Sequence, residues 1–267
     1  MRNILNILLP VLSMMNIVNG QSYKSSYLFQ KNNYPVAAIQ VPFGEDVVTD
    51  AVKDYMNSKG YKDAHYKDFI VFRDVPIQEG SPVLSDAYFS INKKSHSEKD
   101  VTIISLLPVK KGETLTPLSE DSAAMNSSLA YLDSLVNRVH RYSIQQLIQA
   151  QQKTLDKTKS KMLSLKNDSG DIAKKIRSYE SDLVENKNDQ AKQTQVINNT
   201  PSGDQEALTK AHKKMDKLMD NQADYEKKLR NYKSALEDNT KEREAQQSLL
   251  DKTSQSLSAL KERHEKS

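Results

Sequence analysis

The chain has 267 residues, of which 37% are apolar and 28% charged, with a mean hydropathy of −0.72. That average is too polar for one large globule and implies that part of the chain is extended and solvated. A formal net charge of +4, from 39 basic and 35 acidic residues, is no electrostatic footprint for nucleic acid, and the absence of cysteine excludes disulfides and a lipidated cysteine.

The first twenty residues, MRNILNILLPVLSMMNIVNG, carry one positive charge at Arg2 and an apolar run from Ile4 to Val18, and they end in the small Gly20. This pattern predicts a secretory signal peptide cut before Gln21, because the run is shorter than the ~20 residues a membrane span needs. The expected product is an exported protein, periplasmic or extracellular, with no membrane span after cleavage.

Residues 21–118 predict a small α+β domain with the order β-α-β-β-β. YPVAAIQV (34–41) is a nearly continuous apolar run, as in a strand covered on both faces. EDVVTDAVKDYMNSKG (45–60) places Val48, Val52, Tyr55 and Met56 on one helical face, with acids at its start and Gly60 as a C-cap. DFIVFRDV (68–75), DAYFSINKK (86–94) and DVTIISLLPV (100–109) are rich in β-branched and aromatic residues and bounded by turn formers. An antiparallel sheet with one face under a single helix is the economical way to bury them. YKSSYLFQ (23–30) is a candidate edge strand, and KKSHSEKD (93–100) an exposed loop. DAHYKD (63–68), which sets His65 between Asp63 and Asp68, is read as a solvated loop before a strand and not as a catalytic pair.

KKGETLTPLSEDS (110–122) breaks the strand pattern, and Thr116 or Ser119 is expected to cap a helix that begins there. Residues 119–267 then predict a coiled-coil helical hairpin. With Leu208 at position a, the a residues are Leu208, Met215, Gln222, Leu229, Leu236, Arg243, Leu250, Leu257 and His264. The d residues are Ala211, Leu218, Tyr225, Tyr232, Asn239, Gln246, Thr253 and Leu260. Eleven of these seventeen are apolar, which fits a coiled-coil seam better than a globular helix. Upstream, Leu155, Met162, Leu165, Ile172, Ile176, Tyr179, Leu183 and Ile197 follow the same seam less completely.

Between the two arms lies NNTPSGDQ (198–205), the predicted hairpin tip, where Pro201 and Gly203 stop one helix and Asp204 caps the next. KNDSGD (166–171) is a second weak point, at which Gly170 can kink or re-cap the first arm. A hairpin centred on Pro201 sets the polar seam residues Asn239, Arg243 and Gln246 opposite Leu163, Lys159 and Asp156. They are candidates for fixing the register or for docking a partner, the former being favoured.

No catalytic, cofactor-binding or metal-binding motif is legible. The five histidines are far apart in sequence, and no Gly-rich phosphate loop, nucleophile elbow or zinc-protease helix appears. Four stretches in order, DYMNSKGYK (54–62), FIVFRDV (69–75), YFSINKKS (88–95) and EKDVTIISLL (98–107), followed by the helix entry LDSLV (132–136), resemble a group of secreted bacterial proteins that join a small N-terminal domain to a C-terminal coiled coil. The resemblance implies no activity and carries over no functional residue.

The expectation is therefore a non-enzymatic binding or scaffolding protein whose hairpin docks or spaces a protein partner in the cell envelope. The alternatives are a small-ligand binder or enzyme using the α+β domain, and a holdase-like chaperone using the helical arms.

Overall fold

The computed structural model describes residues 21–77, 84–98, 100–113, 117 and 122–266. The expected signal peptide and the expected caps Thr116 and Ser119 lie outside these residues. Two compact units are present: one comprises the described residues up to Leu147 together with the chain end from Glu262, the other Ile148–Lys261.

The first unit is built on a six-stranded antiparallel sheet. Its strands are β1 (Tyr23–Phe29), β2 (Asn32–Val41), β3 (Asp63–Tyr66), β4 (Phe69–Val75), β5 (Ser85–Lys93) and β6 (Thr102–Lys110), in the spatial order β1-β2-β6-β5-β4-β3. Helix α1 (Glu45–Ser58) connects β2 to β3. The expected edge strand is β1. A second edge strand, β3, takes the residues read from sequence as a solvated loop, so the order is β-β-α-β-β-β-β and not β-α-β-β-β. The loop reading failed because His65 and its neighbours are exposed on an edge, where one-sided pairing with β4 requires no apolar pattern.

The central strands read as apolar runs because their side chains are buried on both sheet faces. On one face Ile39, Phe72, Phe89, Ile104 and Leu106 pack with Val48, Val52 and Met56 of α1. A second helix lies on this same face, which corrects the single-helix expectation: the first turns of α2 (Ser122–Asn199) contribute Met125, Leu132, Leu135 and Val139 to that core. The other face gathers Phe29, Phe69, Val71, Tyr88, Leu107 and Val109. Helix α1 stops where Gly60 adopts φ 90°, its N–H donating to the carbonyl of Asn57 while Tyr61 N–H reaches Met56. A side chain at that φ is strained, which explains the glycine. Ser22, next to the expected cleavage point, donates its backbone N–H to Asp133 and its hydroxyl to the carbonyl of Leu129.

In the second unit the long helices α2 and α3 (Gln205–Lys266) pack against each other. As residue numbers rise along α2 their partners fall along α3: Leu165 meets Asn239, Tyr179 meets Tyr225, and Gln193 meets Ala211. The two therefore run antiparallel. Every a and d position from Leu208 to Leu260 is buried or half-buried. Helix α2 passes through Gly170 without interruption, because continuous backbone bonding and packing outweigh the weak propensity of one glycine.

Candidate functional site

The first unit holds a groove of about 800 Å³ with three walls. Tyr55, Lys59 and Tyr61 come from the end of α1 and the turn after it, Val75, Pro76 and Ile77 from the end of β4, and the face Asn126, Ala130, Ser134, Asn137 and Arg141 from α2. The α2 residues reach one groove because helical spacing of three and four places them in line, opposite the stripe that packs on the sheet core. Tyr131 also lines the groove, with its hydroxyl 3.0 Å from the sulfur of Met56. Burial, with Tyr55 and Tyr61 nearby, pushes its phenol well above the usual tyrosine range, so it stays a neutral hydroxyl. Arg138 lies with its guanidinium 5.4 Å from the centre of the Tyr55 ring, and the Lys59 ammonium lies 6.0 Å from the same ring. No carboxylate lines the groove among the described residues.

On the opposite sheet face, the almost fully buried Asp86 is ion-paired to Arg73 and accepts the backbone N–H of Asp74 at 3.2 Å. The register of β4 against β5 shifts here, and Asp74 sits at φ 57°. The bulge turns Arg73 over the Tyr88 ring, 5.8 Å from its centre, and Asp74 toward Lys111. The sequence carries no signal for this cluster, because nothing in FIVFRDV distinguishes a bulge from a regular pair.

His65 projects from edge strand β3 with its side chain largely exposed, 3.9 Å from Asp63, which also pairs with Lys53 at 3.5 Å. Among the described residues no three of His, Asp and Glu converge as ligands for a metal ion. His140 packs against Phe43, and its Nε2 is buried with no hydrogen-bond partner. Burial, reinforced by the nearby charge of Arg263, lowers its pKa below the usual histidine range.

In the second unit the three polar seam residues lie on the inner stripe of α3, but their facing partners differ from those expected. The amide of Asn239 donates to the carbonyl of Leu165 at 3.0 Å, whereas Leu163, Lys159 and Asp156 are exposed. Helix α2 runs to Asn199 and α3 starts at Gln205, so the turn is centred on Ser202 and not on Pro201. Moving the centre by one residue moves the facing partner by two. Asn239 is buried with Oδ1 unpartnered, Arg243 is half-buried with Nε unpartnered, and Gln246 is half-buried. Pro201 and Gly203 occupy the exposed turn, where Asp204 accepts the N–H of Ala207 at 3.0 Å and caps α3 as expected.

Sequence reading missed the polar half of the facing stripe. Thr158, Asn186 and Gln193 are buried and Gln190 half-buried on α2, at the same alternating spacing of three and four as the apolar seam residues. Gln190 bridges Asn186 at 2.6 Å and Gln222 at 2.8 Å, and Gln193 donates to the carbonyl of Ala211 at 3.0 Å. An unbroken heptad count through this stretch was the available signal.

Among the described residues no helix is long and apolar enough to cross a membrane. Compared with protein-family models, with curated proteins and with solved structures, the chain gives no match.

Proposed function

We propose that this is an exported, non-enzymatic binding or scaffolding protein in which an antiparallel coiled-coil hairpin docks or spaces a protein partner in the cell envelope. Export rests on the first twenty residues and the hairpin on the inner stripes of α2 and α3, which pack on each other and leave the outer faces to solvent. At ~1.5 Å per residue, the 62 residues of α3 extend roughly 90 Å, a length that serves reach and spacing better than it serves a reaction.

The observation that carries docking is a set of apolar side chains on the outside of the helices toward the turn. Val184, Val196 and Met219 are 62%, 52% and 58% exposed on surfaces otherwise rich in charge. Such residues add nothing to the seam and suit a partner's apolar contact. Asn239, with its cross-helix bond, fixes the pairing of the two arms in this reading.

Photo-crosslinking in the native host tests it. A benzoylphenylalanine at position 184 or 219 is expected to give a discrete protein adduct that is lost when the remaining two apolar residues become serine, while the same probe at exposed Lys157 gives none. Adducts at 157 equal to those at 184 and 219, or none at any position in folded protein, would refute docking by this surface. N-terminal sequencing of the same material is expected to begin at Gln21, and an intact Met1 on membrane-bound protein would remove export by cleavage.

A further inference from the structure

The groove of the first unit is concave, floored by neutral groups and rimmed by positive charge. Lys59, Arg138 and Arg141 line it, and none of the three has an ion-pair partner among the described residues. Charges on a convex surface are diluted by water, whereas charges around a half-apolar concavity focus their field into it and favour an anion there. Two of the cations are held over one aromatic ring, Tyr55. This positions the Arg138 plane while leaving its N–H groups for a planar or tetrahedral anion.

The rest of the lining sets the shape of the ligand. Pro76 and Ala130 offer aliphatic surface, backed by the buried Val75 and Ile77, and the Tyr131 hydroxyl is held against Met56. A free inorganic anion would leave those walls unused, and a neutral apolar molecule would sit under three unneutralised cations. The volume of about 800 Å³ is in the range that encloses a small organic ligand. From this combination we propose that the groove binds a small amphiphilic anion, a molecule with an aromatic or aliphatic body bearing one carboxylate, sulfonate or phosphate. This inference is independent of the docking role of the long helices, and failure of either leaves the other standing.

The test uses the full chain and three probes. 8-Anilinonaphthalene-1-sulfonate supplies body and charge, N-phenyl-1-naphthylamine the body without the charge, and inorganic phosphate the charge without the body. The protein contains no tryptophan, so probe fluorescence is read without a competing donor. One saturable site for the sulfonate is expected, weakened about tenfold or more in the double variant Arg138→Gln, Arg141→Gln, as loss of charge-assisted hydrogen bonds predicts. The neutral amine should bind about tenfold more weakly than the sulfonate and be indifferent to those substitutions. Phosphate at millimolar concentration should neither bind tightly nor displace the sulfonate. Ala130→Phe, which fills the groove, should abolish the sulfonate site while the thermal melt stays unchanged.

Equal sulfonate affinity in wild type and the arginine variant overturns the proposal, as does an amine that binds as tightly as the sulfonate. Phosphate that binds as tightly as the sulfonate overturns the amphiphilic part. If a variant misfolds, magnetisation transfer between naphthyl protons and Tyr131 or the Ala130 methyl in wild-type protein decides. Transfer to other residues only places the probe elsewhere and ends the proposal.

Discussion

Asn239→Leu is expected to stabilise the packed helices. The side chain is 7% exposed, so its replacement is a core substitution and not a surface one. Its amide makes one bond, to the carbonyl of Leu165, and losing that bond costs about 1 kcal/mol. The carbonyl is not stranded, because Leu165 lies inside α2 and keeps its intrahelical donor. Against this stand two gains. The unpartnered Oδ1 disappears, relieving roughly 1 kcal/mol or more, and a buried leucine contributes about 1.5–3 kcal/mol where an amide contributed little. After allowing for imperfect packing, the net is about 1–2 kcal/mol in favour of the variant. Urea unfolding of the full chain, followed by circular dichroism at the helical band, measures it as a higher midpoint at unchanged slope. Adding Arg243→Leu and Gln246→Leu should raise the midpoint further by smaller steps, since both are only half-buried, with some loss of unique pairing. A midpoint for Asn239→Leu lowered by the equivalent of ~1 kcal/mol or more would mean that Oδ1 is satisfied and the layer cohesive, and the reasoning would be wrong.

Other outcomes follow from the same physical account. Gly170→Ala should add about 0.5–1 kcal/mol in the same urea assay, because the position is helical and a Cβ there meets nothing within 4 Å. Arg73→Met should cost about 3 kcal/mol by stranding the Asp86 carboxylate, more than Asp86→Asn, which leaves the exposed Arg73 in water, and a reversed order would argue against a buried anion. His140 has a lowered pKa, so the folded state binds fewer protons than the unfolded one. Its contribution is fully present above the unfolded value of about 6.5 and is lost as pH falls through the lower folded one, so unfolding midpoints should drop below about pH 6.5, less steeply in His140→Gln. Spin labels at the exposed positions 184 and 219 should lie within roughly 20 Å, since packed helices have axes ~8–10 Å apart, and the distance should survive dilution with unlabelled protein.

Legibility in the sequence followed how strongly one residue's environment is tied to its neighbours' spacing. Strands β2, β4, β5 and β6 were readable because burial on both faces demands continuous apolar runs. Helix α1 was readable because Val48, Val52 and Met56 repeat at helical period with Gly60 behind them. The stripe of α3 was readable to the residue, but that of α2 only in its apolar half. Gln190 and Gln193 bury polar groups by bonding across the pair, and Asn186 by accepting from Gln190 on its own helix, so apolar periodicity does not reveal them. The Arg73–Asp86 bulge and the groove were invisible for a different reason: each joins side chains from separate elements, and no local spacing encodes that meeting.

Tyr179 packs between Tyr225 and Tyr232, which stand two turns apart on α3, with rings of 179 and 232 stacked at 5.7 Å and those of 179 and 225 tilted at 6.2 Å. Between Ile148 and Lys261 the sequence contains no other tyrosine, no phenylalanine and no tryptophan. All the near-ultraviolet absorption of that unit therefore originates in one short stretch of its length, about two helical turns of α3. Its exciton-coupled dichroism is an optical gauge of that short stretch, dark to events elsewhere on the helices until they reach it. The Lys228 ammonium, 5.5 Å from the Tyr179 ring, adds a local charge whose displacement shifts the same band. Strain entering from either end of the unit would thus be timed by its arrival at the tyrosines.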